Sequence, residues 1–276
     1  MTMISGRSMF LPGFFIGARL AVYSRYIWLL CGGVLIMAVS VLLAAQFSGR
    51  QPATVALDFG LSVIRLLGPL LVVLIVQGVL SCEFDRRHFL LSISYPGTRS
   101  SFFLGRFVAV FALVVFALLM ASSVLALLVW VVGMEYAQGT PVSLGAEYIV
   151  TVAFISLDLL LLTALACFLA VVASSASFVL IGTLGFMLVA RSYSGVIELL
   201  NRDAGVVANP DSYRSGVGVL GYFLPDLGAL DIRMIALYGR MEFLPSDWLW
   251  LVSSSAAYVL GVLAMSVWAI NHKRFN

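Results

Sequence analysis

Residues 148–190 read YIVTVAFISLDLLLLTALACFLAVVASSASFVLIGTLGFMLVA, an apolar stretch of 43 residues with one charged side chain, Asp158. A single helix of that length would measure about 64 Å at about 1.5 Å per residue, whereas the hydrocarbon core of a bilayer is about 30 Å thick. The stretch therefore predicts two membrane-spanning helices. We place the turn between them at the serine-rich residues 174–177.

The composition of the whole chain is that of an integral membrane protein. Of its 276 residues 62% are hydrophobic and only 11% are charged, and the mean hydropathy is +1.08. Further apolar runs of spanning length lie at about 27–46, 59–80, 107–134 and 248–270. We predict an all-α membrane protein with six transmembrane helices in one domain, residues 1–276.

Residues 10–25, before the first span, predict an interfacial helix that lies along the membrane surface. Apolar side chains recur there at helical spacing, at Leu11, Phe14, Phe15, Ala18 and Val22. Arg19 and Arg25 lie nearby, and basic residues beside an apolar face are typical of helices at a lipid surface. The alternative is a frayed terminal tail.

The distribution of basic residues predicts the orientation of the spans. Nine Lys or Arg residues and two acidic ones lie before the first span, between the second and third spans, and after the sixth. The opposite side carries six arginines and ten acidic residues. Because basic residues favour the cytoplasmic side, both termini are predicted to be cytoplasmic.

Residues 83–106, between the second and third spans, read EFDRRHFLLSISYPGTRSSFFLGR. Mostly apolar side chains recur every three or four residues in it: Phe84, His88, Leu91 and Tyr95. This spacing predicts a short helix with a basic back, which Pro96 ends, and Ser100 or Ser101 is expected to cap the next helix. A hairpin connection needs no such amphipathic surface, so we predict a docking site. The alternative is that the arginines only orient the spans while the stripe rests on lipid.

Several catalytic patterns are missing from the sequence. Lys273 is the only lysine and lies near the end of the chain, so the phosphate-binding lysine of a Walker A loop is absent, as are HExxH and GxSxG. His88 and His272 have no neighbouring ligand at metal-binding spacing. Ser192 and Ser194 are interpreted as loop residues, since no histidine lies on their side. We expect no cofactor or metal on this chain and no nucleic-acid partner.

Segment 83–106 resembles the cytoplasmic coupling segment of the membrane subunits of ATP-binding-cassette exporters of the second permease class. The shared features are an acidic start, a leucine-rich turn, a Tyr-Pro break, an arginine and a Gly-Arg entry into span three. They are matched by Glu83, Leu90, Leu91, Tyr95, Pro96, Arg99, Gly105 and Arg106. The family more often has lysine at the position of Arg106. Six spans, cytoplasmic termini and the interfacial helix also match, so the similarity covers most of the chain.

The resemblance implies a non-catalytic transport subunit in a bacterial cytoplasmic (inner) membrane. Two permeases, identical or homologous, would pair, and each would dock its coupling helix on a separate ATPase that binds ATP and Mg²⁺. Charges at the rim of the dock would come from Glu83, Arg86, Arg87 and Arg99, apolar anchoring from Phe84, Phe89 and Leu91, and the end of the coupling helix from Pro96.

The loop at 191–247 is predicted to have structure of its own, because it has 57 residues, of which 12 are charged. Leu227 and Leu230 belong to a run at helical spacing that Pro225 interrupts. Similar permeases carry short external helices here. Two roles stay open, a lid over the exit path and a surface for a periplasmic partner protein.

Two charged residues lie inside predicted spans. Arg65 lies about 10 Å beyond Asp58, and Asp158 about 16 Å beyond Glu147, counted from the external side. We predict an ion pair between spans two and four, in which each charge offsets the desolvation of the other. The alternative for Arg65 is that it extends to the external interface, and contact with a substrate is a weaker one.

Small residues recur every fourth position in the last span, at Ser253, Ala257 and Gly261. They indicate a packing face inside the molecule first and a dimer seam second.

Two other functions remain beside transport. One is a membrane-embedded enzyme that uses Ser194, Asp226 and Asp231 of the long loop, and the other is a scaffold that only anchors partners. The spans carry few polar residues that could converge on an enzyme site. A narrow, apolar interior would suit lipids, lipid-linked molecules or other hydrophobic cargo more than bulk ions.

Overall fold

The computed structural model describes residues 10–23, 26–81, 99–135, 142–173, 175–202 and 225–272. Over these residues the protein is helical, without a strand. The helices are α1 (Phe10–Tyr23), α2 (Tyr26–Phe47), α3 (Pro52–Val76), α4 (Arg99–Glu135), α5 (Ala146–Val172), α6 (Ala176–Arg202), α7 (Met234–Tyr238) and α8 (Trp248–His272). A π-helical turn, Gln77–Ser81, follows α3, and a 3₁₀ turn, Met241–Phe243, follows α7.

Six of these helices, α2 to α6 and α8, are long and apolar enough to cross a membrane. The prediction of an all-α protein with six helices of spanning length is confirmed. Two of them begin earlier than the apolar runs indicated. Helix α3 starts at Pro52, where a proline is favoured because the first turn needs no backbone donor. Helix α4 already includes Arg99, so Ser100 and Ser101 lie inside it and do not cap it.

The division of residues 148–190 into two helices is also confirmed. Helix α5 ends at Val172, Ala173 has an extended backbone, and α6 begins at Ala176. The backbone N–H of Phe178 donates to Ser175 Oγ at 3.4 Å, as at a helix N-terminus. Helix α6 continues past Arg191 to Arg202, so Ser192 and Ser194 lie on a helix and their interpretation as loop residues is wrong. An apolar run ends before its helix does, because a helix can extend out of the hydrocarbon layer.

Helix α1 packs along the first turns of α4. Two glycines allow the approach: a Cβ at Gly13 would lie 2.8 Å from the Phe102 carbonyl oxygen, and one at Gly17 would lie 3.1 Å from Ala109 Cβ. Leu11 and Phe15 are exposed on α1. Helix α1 therefore has one face on α4 and free apolar side chains, while its position at a membrane surface stays a prediction.

Helices α3 and α5 form the centre of the bundle. Helix α3 packs against α2, α4 and α5, and α5 also contacts α4, α6 and α8. Helices α2 and α8 are peripheral, with few of their residues buried. Ser253, Ala257 and Gly261 are exposed on α8, so the small-residue stripe does not pack against the other described helices. That first interpretation is wrong, because only the choice of neighbours decides which side of an apolar helix is buried.

The bundle has two ends, called the Asp231 face and the Val79 face after one residue at each. At the Asp231 face, helices α2, α4 and α6 end and α3, α5 and α8 begin. At the Val79 face, α3 and α5 end and α4 and α6 begin. The predicted coupling segment connects α3 to α4 at the Val79 face.

Candidate functional site

Arg65 and Asp158, the two charges predicted inside spans, lie together in the interior of the bundle. Arg65 Nη2 is 3.8 Å from Asp158 Oδ2, and the side chains are 8% and 1% exposed. Helix α3 supplies the arginine and α5 the aspartate. Because a buried charge is strongly destabilising without a partner, their proximity lowers the free energy of placing both charges in the bundle.

Arg191 of α6 is the closer partner of Asp158. Its Nη2 donates to Asp158 Oδ2 at 2.6 Å, and its Nη1 donates to the backbone carbonyl of Arg65 at 3.0 Å. The apolar runs in the sequence did not indicate this partner, because Arg191 follows the apolar run and was predicted to begin the loop at 191–247. The spacing in the sequence could have indicated this pair. Asp158 lies 16 residues before residue 174, near the centre of the turn, and Arg191 lies 17 residues after it. Two antiparallel helices joined at that turn bring both residues to the same depth.

The segment 225–238 adds two more charges to this group, Asp231 and Arg233, and Arg233 connects it to Asp58 of α3. Arg65 Nη1 lies 2.5 Å from Asp231 Oδ2, and Arg233 Nε lies 3.5 Å from the same oxygen. Arg233 Nη1 also donates to Asp58 Oδ1 at 3.0 Å and to Ser62 Oγ at 2.6 Å on α3. We call the three arginines and three aspartates the charge network; its members are Asp58, Arg65, Asp158, Arg191, Asp231 and Arg233.

Apolar contacts hold the same segment against the bundle. Leu227, Leu230 and Ile235 are each at most 1% exposed. The Leu227 carbonyl accepts a hydrogen bond from Arg65 Nη2 at 3.3 Å. Leu227 and Leu230 lie in turns and not in a helix, because the segment becomes helical only at α7. Buried leucines and ion pairs therefore both hold segment 225–238 against the bundle.

The charge network is electrically balanced but not fully hydrogen-bonded. Asp158 Oδ1, Arg191 Nε and Arg65 Nη1 are buried and have no hydrogen-bond partner among the described residues. Arg65 Nη1 contacts Asp231 closely without the alignment of a hydrogen bond. Buried donors and acceptors are nearly always paired in proteins. These three atoms therefore need polar partners other than the described residues.

An apolar cleft lies next to the charge network, between α2, α3, α4 and α5. Its lining includes Leu30, Gly33, Ile64, Gly68, Leu118 and Leu159. Its volume of about 60 Å³ corresponds to roughly four to six water-sized positions, so the cleft admits a narrow chain and not a bulky ring. Ile64 directly precedes Arg65 in the sequence, and Leu159 directly follows Asp158. The cleft therefore lies within one helical turn of the charge network.

The predicted docking residues lie mostly outside the described part of the chain. This applies to Glu83, Phe84, Arg86, Arg87, Phe89, Leu91 and Pro96. Arg99 begins α4, but its side chain is outside what the structure describes. The docking role of all eight residues therefore stays a prediction, and the structure describes the two helix ends that flank the segment.

These two helix ends are joined by Arg106. Its Nη1 donates to the Val79 carbonyl at 2.9 Å, and its guanidinium lies 4.4 Å from the centre of the Phe102 ring. Arg106 is 1% exposed. Val79 belongs to the π-helical turn, whose wider winding often occurs at functional sites. Gln77, in the same turn, donates to the Ala176 carbonyl at 2.9 Å, so the turn also contacts the start of α6.

Within the part of the chain that the structure describes, no three His, Cys, Asp or Glu side chains are arranged to hold a metal ion. No protein-family model matches the chain, and no curated protein matches it.

Proposed function

We propose that this chain is the permease subunit of an ATP-binding-cassette exporter of the second permease class, with both termini in the cytoplasm of a bacterium. The chain forms part of the substrate path. A separate ATPase binds ATP and Mg²⁺, and a second permease, identical or homologous, completes the transporter. A periplasmic protein at the external loop remains a further possible partner.

The observation that carries this proposal is the hydrogen bond from Arg106 to the Val79 carbonyl. It joins α3 to α4 next to the segment that resembles a coupling helix. A docked ATPase can move transmembrane helices only if the segment it holds is fixed to them. Helix α4 suits this role, since its 37 residues measure about 56 Å and exceed the thickness of the hydrocarbon core.

Helix α3 connects the proposed dock to the charge network. Its π-helical turn contacts α4 and α6 at the Val79 face, and its other half carries Asp58 and Arg65. From Val79 to Arg65 is 14 residues, or about 21 Å along the helix. A shift of α3 at the dock would therefore act on the ion pairs that hold segment 225–238. This gives ATP-driven motion a route to the opposite face.

The enzyme alternative has less support. Of the acidic residues it would use, Asp226 accepts the backbone N–H of Ala229 at 3.0 Å and Asp231 pairs with Arg65 and Arg233. Both carboxylates already hold segment 225–238 in place. The scaffold alternative predicts that ATP hydrolysis by a bound partner does not change when this chain is altered.

The test is a pull-down of the tagged chain from membranes in mild detergent, followed by an ATPase assay of the eluate. Wild type is expected to recover an ATPase, and Arg86→Glu/Arg87→Glu is expected to lose it. The matched control is Arg50→Glu/Arg240→Glu, which makes the same charge change at two exposed arginines predicted on the opposite side. An equal loss in the control, or a wild-type chain that never recovers an ATPase, contradicts the proposal.

A further inference from the structure

We propose that the charge network and the apolar cleft together bind one acidic lipid. The headgroup phosphate contacts Arg65 and Arg233, and an acyl chain enters the cleft. Asp231 occupies the phosphate position while no lipid is bound. The role of this site in transport rests on the proposed function, but lipid binding itself does not.

Two guanidinium groups converge on one carboxylate oxygen of Asp231. Arg65 Nη1 and Arg233 Nε lie 2.5 Å and 3.5 Å from Asp231 Oδ2. Paired arginines suit a phosphate, because their planar donors match its oxygens. A tetrahedral phosphate offers more acceptor directions than a carboxylate. It can therefore satisfy the donor on Arg65 Nη1 that Asp231 contacts without alignment.

The Asp231 side chain can move away from the group while Arg65 stays in place. The side chain of Asp231 is 30% exposed, whereas that of Arg65 is 8% exposed. Asp231 lies before α7, on a connecting segment, and Arg65 lies on a long helix. When Asp231 moves away, Asp158 still pairs with Arg191, and Arg65 is left with excess positive charge. The vacated position therefore attracts an anion.

The site lies in the interior of the bundle and close to the apolar cleft. The Arg65 side chain is 8% exposed and lies among the helices of the bundle. A lipid of the surrounding bilayer keeps its headgroup at the interface, so a headgroup at Arg65 belongs to a lipid that has entered the bundle. The cleft begins one residue from Arg65 and offers only apolar walls to the chain. The arginines and the apolar cleft thus lie side by side, as the phosphate and the acyl chains do in an acidic lipid.

The test uses the purified full-length chain in detergent, with phosphatidylglycerol as the probe and native mass spectrometry as the readout. Phosphatidylcholine tests the need for net negative charge, and inorganic phosphate tests the need for a chain. Wild type is expected to prefer phosphatidylglycerol. Arg233→Gln and Arg65→Gln are expected to weaken its binding about tenfold, and Asp231→Asn to strengthen it about tenfold, as for one charged hydrogen bond. Arg240→Gln, an exposed arginine near the same segment, is the control.

The cleft has its own matched pair of variants. A Cβ would meet no atom within 4 Å at Gly32 or at Gly33, but only Gly33 lines the cleft. Gly33→Leu is therefore expected to weaken phosphatidylglycerol binding at least threefold without unfolding the chain, while Gly32→Leu leaves it unchanged.

Four outcomes overturn the proposal. They are equal binding of phosphatidylcholine, weaker binding by Asp231→Asn, equal effects of the two glycine variants, and complete competition by inorganic phosphate. Because the assay contains no ATPase, these outcomes leave the proposed transport function to its own test. Conversely, failure to recover an ATPase does not affect the lipid measurement.

Discussion

Asp158 on α5 and Arg191 on α6 form an ion pair between these two consecutive helices. The distance from Arg191 Nη2 to Asp158 Oδ2 is 2.6 Å. Arg65 approaches the same oxygen only to 3.8 Å. Asp158 therefore pairs more closely with α6, the next helix in the sequence, than with α3. This ordering has consequences for stability that can be measured.

We expect Asp158 to be coupled more strongly to Arg191 than to Arg65. Asp158→Leu should destabilise the chain by about 3 kcal/mol, because it leaves buried arginines without their acceptor. Adding Arg191→Met should recover more of this loss than adding Arg65→Met, since the shorter pair makes the hydrogen bond. Thermal unfolding in detergent, arranged as two double-mutant cycles, measures both couplings. Equal couplings, or a larger one for Arg65, would contradict the ordering.

We expect Arg233→Gln to loosen segment 225–238. The variant removes the ion pair with Asp58 and the hydrogen bond to Ser62. Both charged side chains are partly exposed, at 35% and 49%, so the effect should be limited to about fivefold faster exchange of the amides in 227–237. Hydrogen exchange read by mass spectrometry measures it. Arg240→Gln is the control, and unchanged exchange in Arg233→Gln would show that the leucines alone hold the segment.

We expect Gly13→Ala to separate α1 from α4. Its Cβ would lie 2.8 Å from the Phe102 carbonyl oxygen, and backbone cannot yield as a side chain does. The loss should be about 1 to 3 kcal/mol. Gly261→Ala is the matched control, because a Cβ there meets no atom within 4 Å and alanine favours helix. Thermal unfolding should show opposite shifts for the two variants. A stabilised Gly13→Ala would rule out the close packing of α1.

We expect Arg106→Gln to loosen the ends of α3 and α4 at the Val79 face. Glutamine loses the charged donor to the Val79 carbonyl and the contact with Phe102. Spin labels at Ser81→Cys and Ser100→Cys should report a broader distance distribution by pulsed electron resonance. Arg106→Lys keeps the positive charge and should broaden it less. If both variants match the unsubstituted labelled chain, Arg106 does not join the two helices.

The six spans could be predicted from local properties of the sequence. A helix must satisfy its own backbone hydrogen bonds in lipid, so length and hydropathy alone indicate where a span lies. The positions of Arg65 and Asp158 could also be predicted, because rise per residue converts sequence distance into depth. Arg191 was missed, since the apolar run stops at Ala190 while the helix continues to Arg202.

The sequence by itself predicted a helical, multi-pass membrane protein and placed Arg65 and Asp158 inside its spans. Only the tertiary structure decided how those charges are shared. Arg65 lies 93 residues before Asp158 and 166 before Asp231, and no local rule predicts which helices become neighbours. The same holds for the exposed small residues of α8, because every side of such a helix is apolar enough for lipid. In a bilayer the hydrophobic effect inserts helices but does not select their partners, so packing and the pairing of buried charges make that choice.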